Sequence, residues 1–137
     1  MRRMVAIAVL IAVAGCGGSD NPTSPETVSF AGTYTLQTIN GQPLPYVLLQ
    51  QGNNAATITE DHLTMSDGGT WSETEVLRVV TNGVAQNQTD ATAGSWLRTG
   101  NSLILINGQG NTTAYVGTFT TNRLTLTNDL GTQVYAK

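Results

Sequence analysis

Phe30-Ala31-Gly32-Thr33-Tyr34-Thr35-Leu36 sets Phe30, Gly32, Tyr34 and Leu36 at every second position with threonines between the later ones, and this period of two points to a strand with one buried face. Successive side chains of a β-strand point to opposite sides. Phe30, Gly32, Tyr34 and Leu36 are therefore predicted to look inward, and Thr33, Thr35 and Gln37 outward. From Phe30 onward no window carries apolar residues at spacings of three and four for any useful length, whereas alternation by two recurs between turn signals. The chain is predicted to be all β.

The turn signals are Asn40-Gly41, Asp67-Gly68-Gly69, Asn82-Gly83, Thr99-Gly100-Asn101, Asn107-Gly108 and Asp129-Leu130-Gly131. These residues tolerate the positive φ of tight hairpins. Between them fall predicted strands over 30–39, 55–60, 63–66, 70–81, 90–99, 102–107, 111–121, 123–128 and 132–136, with a break at Asp61-His62 and a long loop over 82–89. Pro43 and Pro45 remove backbone donors, so Gln42-Pro43-Leu44-Pro45-Tyr46 is expected to cross an end of the sheet and Val47-Leu48-Leu49 to plug that end. Sequential hairpins leave two open edges unless the sheet closes. An antiparallel up-and-down barrel of eight to nine strands is expected, with a two-sheet sandwich as the alternative.

A tripeptide repeat supports closure. Glycine, a hydroxyl residue and an aromatic follow one another at Gly32-Thr33-Tyr34, Gly69-Thr70-Trp71, Gly94-Ser95-Trp96 and Gly117-Thr118-Phe119. Glycine relieves crowding where a strand bends around a narrow barrel, and the aromatic two positions later fills the same side. At Phe30-x-Gly32-x-Tyr34, Ile39-Asn40-Gly41-Gln42-Pro43-Leu44-Pro45 and Asp67-Gly68-Gly69-Thr70-Trp71, the chain resembles the lipocalin-like lipoproteins of bacterial envelopes, with the META modules as the nearest competing family. The resemblance covers nearly all of residues 30–137 and implies a barrel; it names no ligand. Tyr34 stands where true lipocalins place a tryptophan.

The start of the chain carries an address. Arg2 and Arg3 precede an apolar run over 4–14, which ends in Val13-Ala14-Gly15-Cys16. Eleven residues rise roughly 16 Å as a helix, too little for a hydrocarbon core about 30 Å thick, so the run reads as an export signal. It resembles the lipobox of bacterial lipoproteins, which implies cleavage before Cys16 and acylation of that residue. The expected organisation is a signal peptide over 1–15, a lipidated cysteine and flexible tether over 16–28, and a barrel domain over 29–137. Gly17 after the cysteine suggests, by the same resemblance, the outer membrane facing the periplasm or cell surface.

The mature chain keeps Arg78, Arg98, Arg123 and Lys137 against nine acids. Four scattered cations make no basic face, so nucleic acid is not an expected partner, and attachment to an anionic membrane must come from acyl chains on Cys16. Cys16 is the only cysteine, so no disulfide braces the fold. That count also argues against the lysozyme-inhibitor lipoproteins. The sequence contains no nucleophile elbow, no zinc-binding His-Glu-x-x-His and no phosphate-binding glycine loop. An enzyme is not expected, nor a cofactor or metal; His62, beside Glu60 and Asp61, reads as a solvated turn residue.

One segment stays open. Trp71, Glu73, Glu75 and Leu77 share a face, which would bring two carboxylates into the lumen unless a bulge near Ser72 flips the register. The leading functional reading is a lipid-anchored barrel holding a small apolar ligand in a mouth lined by Tyr34, Leu36, Trp71, Trp96, Tyr115 and Phe119. The alternative is a solid barrel serving as a structural or protein-interaction module of the envelope, its partner unspecified. A third class is an enzyme inhibitor presenting the 82–89 loop. The state of the lumen separates the first two.

Overall fold

The computed structural model describes residues 29–137; the expected signal peptide, the lipidated Cys16 and the tether lie outside the described residues. Ten strands follow in order: β1 Gly32–Ile39, β2 Gln42–Pro43, β3 Tyr46–Gln51, β4 Asn54–Met65, β5 Thr70–Thr81, β6 Val84–Thr99, β7 Ser102–Asn107, β8 Thr113–Thr120, β9 Arg123–Asn128 and β10 Gly131–Ala136. Neighbours in sequence pair antiparallel from β3 through β10, β10 pairs with β1, and β1 returns to β4. These pairings close an eight-stranded antiparallel barrel, with β2 and β3 as appendages. The fold is a barrel and not a sandwich.

The predicted faces of β1 hold at its start, where Tyr34 and Leu36 are buried and Thr33, Thr35 and Gln37 are exposed. A register shift at Gln37 then turns Ile39 inward. All four repeat aromatics, Tyr34, Trp71, Trp96 and Phe119, pack in or against the core. Two repeat glycines are required by close approach: a Cβ on Gly94 would sit 1.9 Å from the Ile106 carbonyl oxygen, and one on Gly117 2.0 Å from that of Thr125.

Four local expectations are corrected. Asp61-His62 is no break, because β4 runs through it: the pair reads as a turn by polarity, yet His62 takes the solvent face and Asp61 meets the Tyr135 hydroxyl inside. Residues 82–89 are no long loop. Asn82-Gly83 alone makes the turn, with φ of 52° and 83°, and β6 begins at Val84. Val47-Leu48-Leu49 does not plug the barrel either; it lies exposed on β3, held by pairing to β4. Finally, no bulge interrupts β5 against β6, and the β4–β5 register shifts at Thr59 of β4 instead of near Ser72.

The long strands overrun the barrel. β6 pairs with β7 only from Gly94 onward, so its first half, with the end of β5, the start of β4 and β3, forms a four-stranded flap beyond the rim. Its two tips are tied together: the Asn82 amide donates to Asn54 Oδ1 at 2.8 Å, and the Gly83 amide to the Asn53 carbonyl at 3.0 Å.

Candidate functional site

The closed end of the barrel is filled by aromatics. The Phe30 ring lies 4.8 Å from Trp96 edge-on and 4.5 Å from Phe119, and the Arg98 guanidinium covers Phe119 at 4.7 Å. Tyr34 donates its hydroxyl to the Phe30 carbonyl, while the Lys137 ammonium sits 5.0 Å over the Tyr34 ring and donates to the Ala31 carbonyl. Trp96 Nε1 donates to the Ser66 carbonyl and Trp71 Nε1 to that of Ile106, at 3.0 and 3.1 Å. Of the six residues expected to line a ligand mouth, Tyr34, Leu36, Trp71, Tyr115 and Phe119 are at most 7% exposed, and Trp96 is partly buried. All six belong to or pack against one core cluster, so their faces are spent on packing.

Toward the flap the interior becomes polar. Alternation carries Glu73 inward from Trp71, and the Thr59 bulge sets Asp61 on the same side as Leu63 and Met65. Gln133 and Tyr135 arrive from β10 and Tyr115 from β8. The Tyr135 hydroxyl lies 2.8 Å from Asp61 Oδ2, 3.0 Å from Glu73 Oε1 and 2.7 Å from Gln133 Oε1. Tyr115 donates to the same Glu73 oxygen at 2.6 Å. A phenol has one proton, so Tyr135 cannot serve three acceptors at once. A proton on Asp61, donated to the Tyr135 oxygen, resolves the mismatch and frees the phenolic proton for Glu73 or Gln133.

The electrostatics agree. Burial, then the Glu73 carboxylate, push Asp61 up to about 8, against a smaller opposing pull from the Tyr135 hydrogen bond. Burial first, then Glu73 for Tyr115 and the Tyr115 hydroxyl followed by Glu73 for Tyr135, push both phenols well above their usual range, so both remain donors. Glu75, half-buried nearer the flap, is raised by burial and by Glu73 and Asp90. Asp61 Oδ1 is buried without a hydrogen-bond partner. Burial and the facing carboxylate thus favour the protonated form of Asp61 in the barrel wall. Glu60 and His62 point the other way, with His62 Nδ1 3.2 Å from Thr35 Oγ1, so the Glu60-Asp61-His62 triplet does not converge.

Asp61, Gln133 and Tyr135 are absent from the sequence-derived site. Alternation in Gln133-x-Tyr135 was the available signal, but Val134 and Ala136 on the opposite face made either side of β10 plausible as the interior. No protein-family model matches the chain, and no curated protein matches it. The class defined here is a closed eight-stranded antiparallel β-barrel with a filled aromatic end, a buried acid–phenol cluster and a projecting flap.

Proposed function

We propose that this chain is an exported bacterial lipoprotein of the lipocalin-like, META-like kind, anchored through Cys16, whose barrel is a non-catalytic interaction module of the envelope. The observation that carries the solid-barrel reading is the packing of Tyr34, Leu36, Trp71, Trp96, Tyr115 and Phe119 against the rest of the core. A carrier of an apolar molecule needs an open cavity of ~300 Å³ or more with apolar walls. Here those walls are the filling, and the interior beyond them is acidic and phenolic. The Val13-Ala14-Gly15-Cys16 motif supports the anchor, and Gly17 supports the outer membrane.

Native mass spectrometry of the protein extracted from its own envelope tests the barrel reading. No retained small molecule is expected, and no saturable quenching of tryptophan fluorescence across a panel of apolar compounds. A stoichiometric small molecule would restore the carrier. For the anchor, Cys16→Ser should abolish fatty-acid labelling and membrane fractionation; unchanged labelling would reject it.

A further inference from the structure

The flap has two open edges, and they are unlike each other. β3 is shielded by devices that discourage strand addition: Pro43 and Pro45 stand just before it, and its register against β4 shifts at Leu48. The β6 edge has none of these. Val84 through Ala91 are exposed, pair without a bulge to β5, and contain no proline, no lysine and a single charge, Asp90. Thr81 and Val84 close a two-residue turn, so the even-numbered residues of β6 bond to β5. The amides and carbonyls of Ala85, Asn87, Thr89 and Ala91 therefore face outward. The next carbonyl in that series, Ala93, is taken by the Gly108 amide at 2.9 Å, which marks where the free edge ends.

We propose that this edge pairs with the same edge of a second copy, antiparallel, about a two-fold axis at Gln88. The inference rests on the interaction-module reading and names its partner. The register is self-complementary. With the axis at Gln88, Ala85 meets Ala91 and Asn87 meets Thr89 as hydrogen-bonded pairs, which engages all four outward-facing residues. Val84 then lies opposite Thr92, Gln86 opposite Asp90, and Gln88 opposite itself. Within one copy the Asp90 carboxylate already accepts from Gln88 Nε2 at 3.0 Å, and the facing Gln86 amide can add a second donor from the other copy. Moving the axis to Asp90 would set two carboxylates face to face, and moving it to Thr89 would call on the occupied Ala93 carbonyl. The open groove of about 370 Å³ lined by Val79, Thr81, Val84, Gln86, Asn87 and Gln88 borders this edge, and pairing joins the grooves of the two copies. Copies held on one membrane by their anchors would meet at raised effective concentration.

Register-specific crosslinking tests this in the full chain, expressed in a bacterial envelope with the parent as control for Cys16. Across a non-hydrogen-bonded antiparallel pair the Cα atoms stand about 4.5 Å apart, within disulfide reach, so Gln88→Cys should give a covalent dimer. Gln86→Cys, displaced four residues from its own copy or ~13 Å, should give roughly tenfold less. Adding Thr89→Pro to Gln88→Cys should abolish the dimer while leaving the β-sheet circular dichroism intact, because that amide bonds to nothing within the monomer. A folded Gln88→Cys protein that stays monomeric overturns the proposal, and so does its crosslinking to a different protein or equal crosslinking at positions 86 and 88. None of these failures bears on the filled barrel, which retention of a small molecule decides separately.

Discussion

The Tyr135 hydroxyl and Asp61 Oδ2 meet at 2.8 Å inside the barrel, joining two strands 74 residues apart in the chain. Burial and the neighbouring Glu73 carboxylate push Asp61 up to about 8, and the Tyr135 hydrogen bond offsets only part of that rise, whereas the unfolded carboxyl ionises near ~3.9.

The sign of the pH dependence follows. Between ~4 and ~8 the native state holds a proton that the unfolded state has released, so stability falls as pH rises, by at most ~1.4 kcal/mol per pH unit from this group. Glu73, Glu75, Tyr115 and Tyr135 face or surround Asp61, and Glu75 is shifted in the same direction. Asp61→Asn, which cannot ionise, should flatten most of the slope and leave the part due to Glu75. Melting temperatures of both proteins at pH 5 and pH 8 measure this. An unaltered slope in Asp61→Asn would place the proton elsewhere.

Removing one donor should expose the coupling within the cluster. Tyr135→Phe leaves Asp61, Glu73 and Gln133 sharing fewer protons and should cost about 1–3 kcal/mol in urea unfolding. Tyr115→Phe strips the second donor from the same Glu73 oxygen. The two costs should differ from additivity by ~0.5 kcal/mol or more in a double-mutant cycle. Strict additivity would mean that the hydroxyls act independently.

Glycines that look alike in sequence should respond differently to alanine. At Gly94 and Gly117 the new methyl meets a backbone carbonyl at 1.9 and 2.0 Å, which no side-chain rotation relieves, and a loss above ~2 kcal/mol is expected. At Gly83 the space is open and only the φ of 83° opposes the change, so about 1 kcal/mol is expected. Urea midpoints rank the three variants. Equal losses would show that conformation, not close approach, selects glycine in the barrel.

Trp96→Ala should cost roughly 3–5 kcal/mol, a large share of the stability of a domain without disulfides. The indole packs edge-on to Phe30 and donates to the Ser66 carbonyl, so both a contact and a hydrogen bond disappear. A midpoint shift equivalent to less than ~1 kcal/mol would place the ring in solvent.

Much of the fold was written locally. Alternation in Phe30 to Leu36 states which side of β1 is buried, Asn82-Gly83 and Asn40-Gly41 supply the positive φ of their turns, and each repeat glycine announces an inward aromatic two residues later. These are properties of a few adjacent residues, and period-two chemistry suffices to read them.

Closure, register and the site were decided by distant partners. Whether Glu73 looks inward depends on where the bulge falls, and it falls at Thr59, on a different strand from the one whose pattern posed the question. Asp61 is read as a turn residue until Tyr135 is brought beside it, because burying a carboxyl is tolerable only with partners that local sequence does not contain. The aromatics were legible as inward-facing, but not as walls or as filling: that distinction is the space left between opposite strands. The sequence by itself determined a β-rich chain with its turns and its inward faces, since those follow from neighbouring residues; only the tertiary structure decided the closed barrel, its filled end, the buried Asp61–Tyr135 contact and the open β6 edge, since each depends on which strands meet.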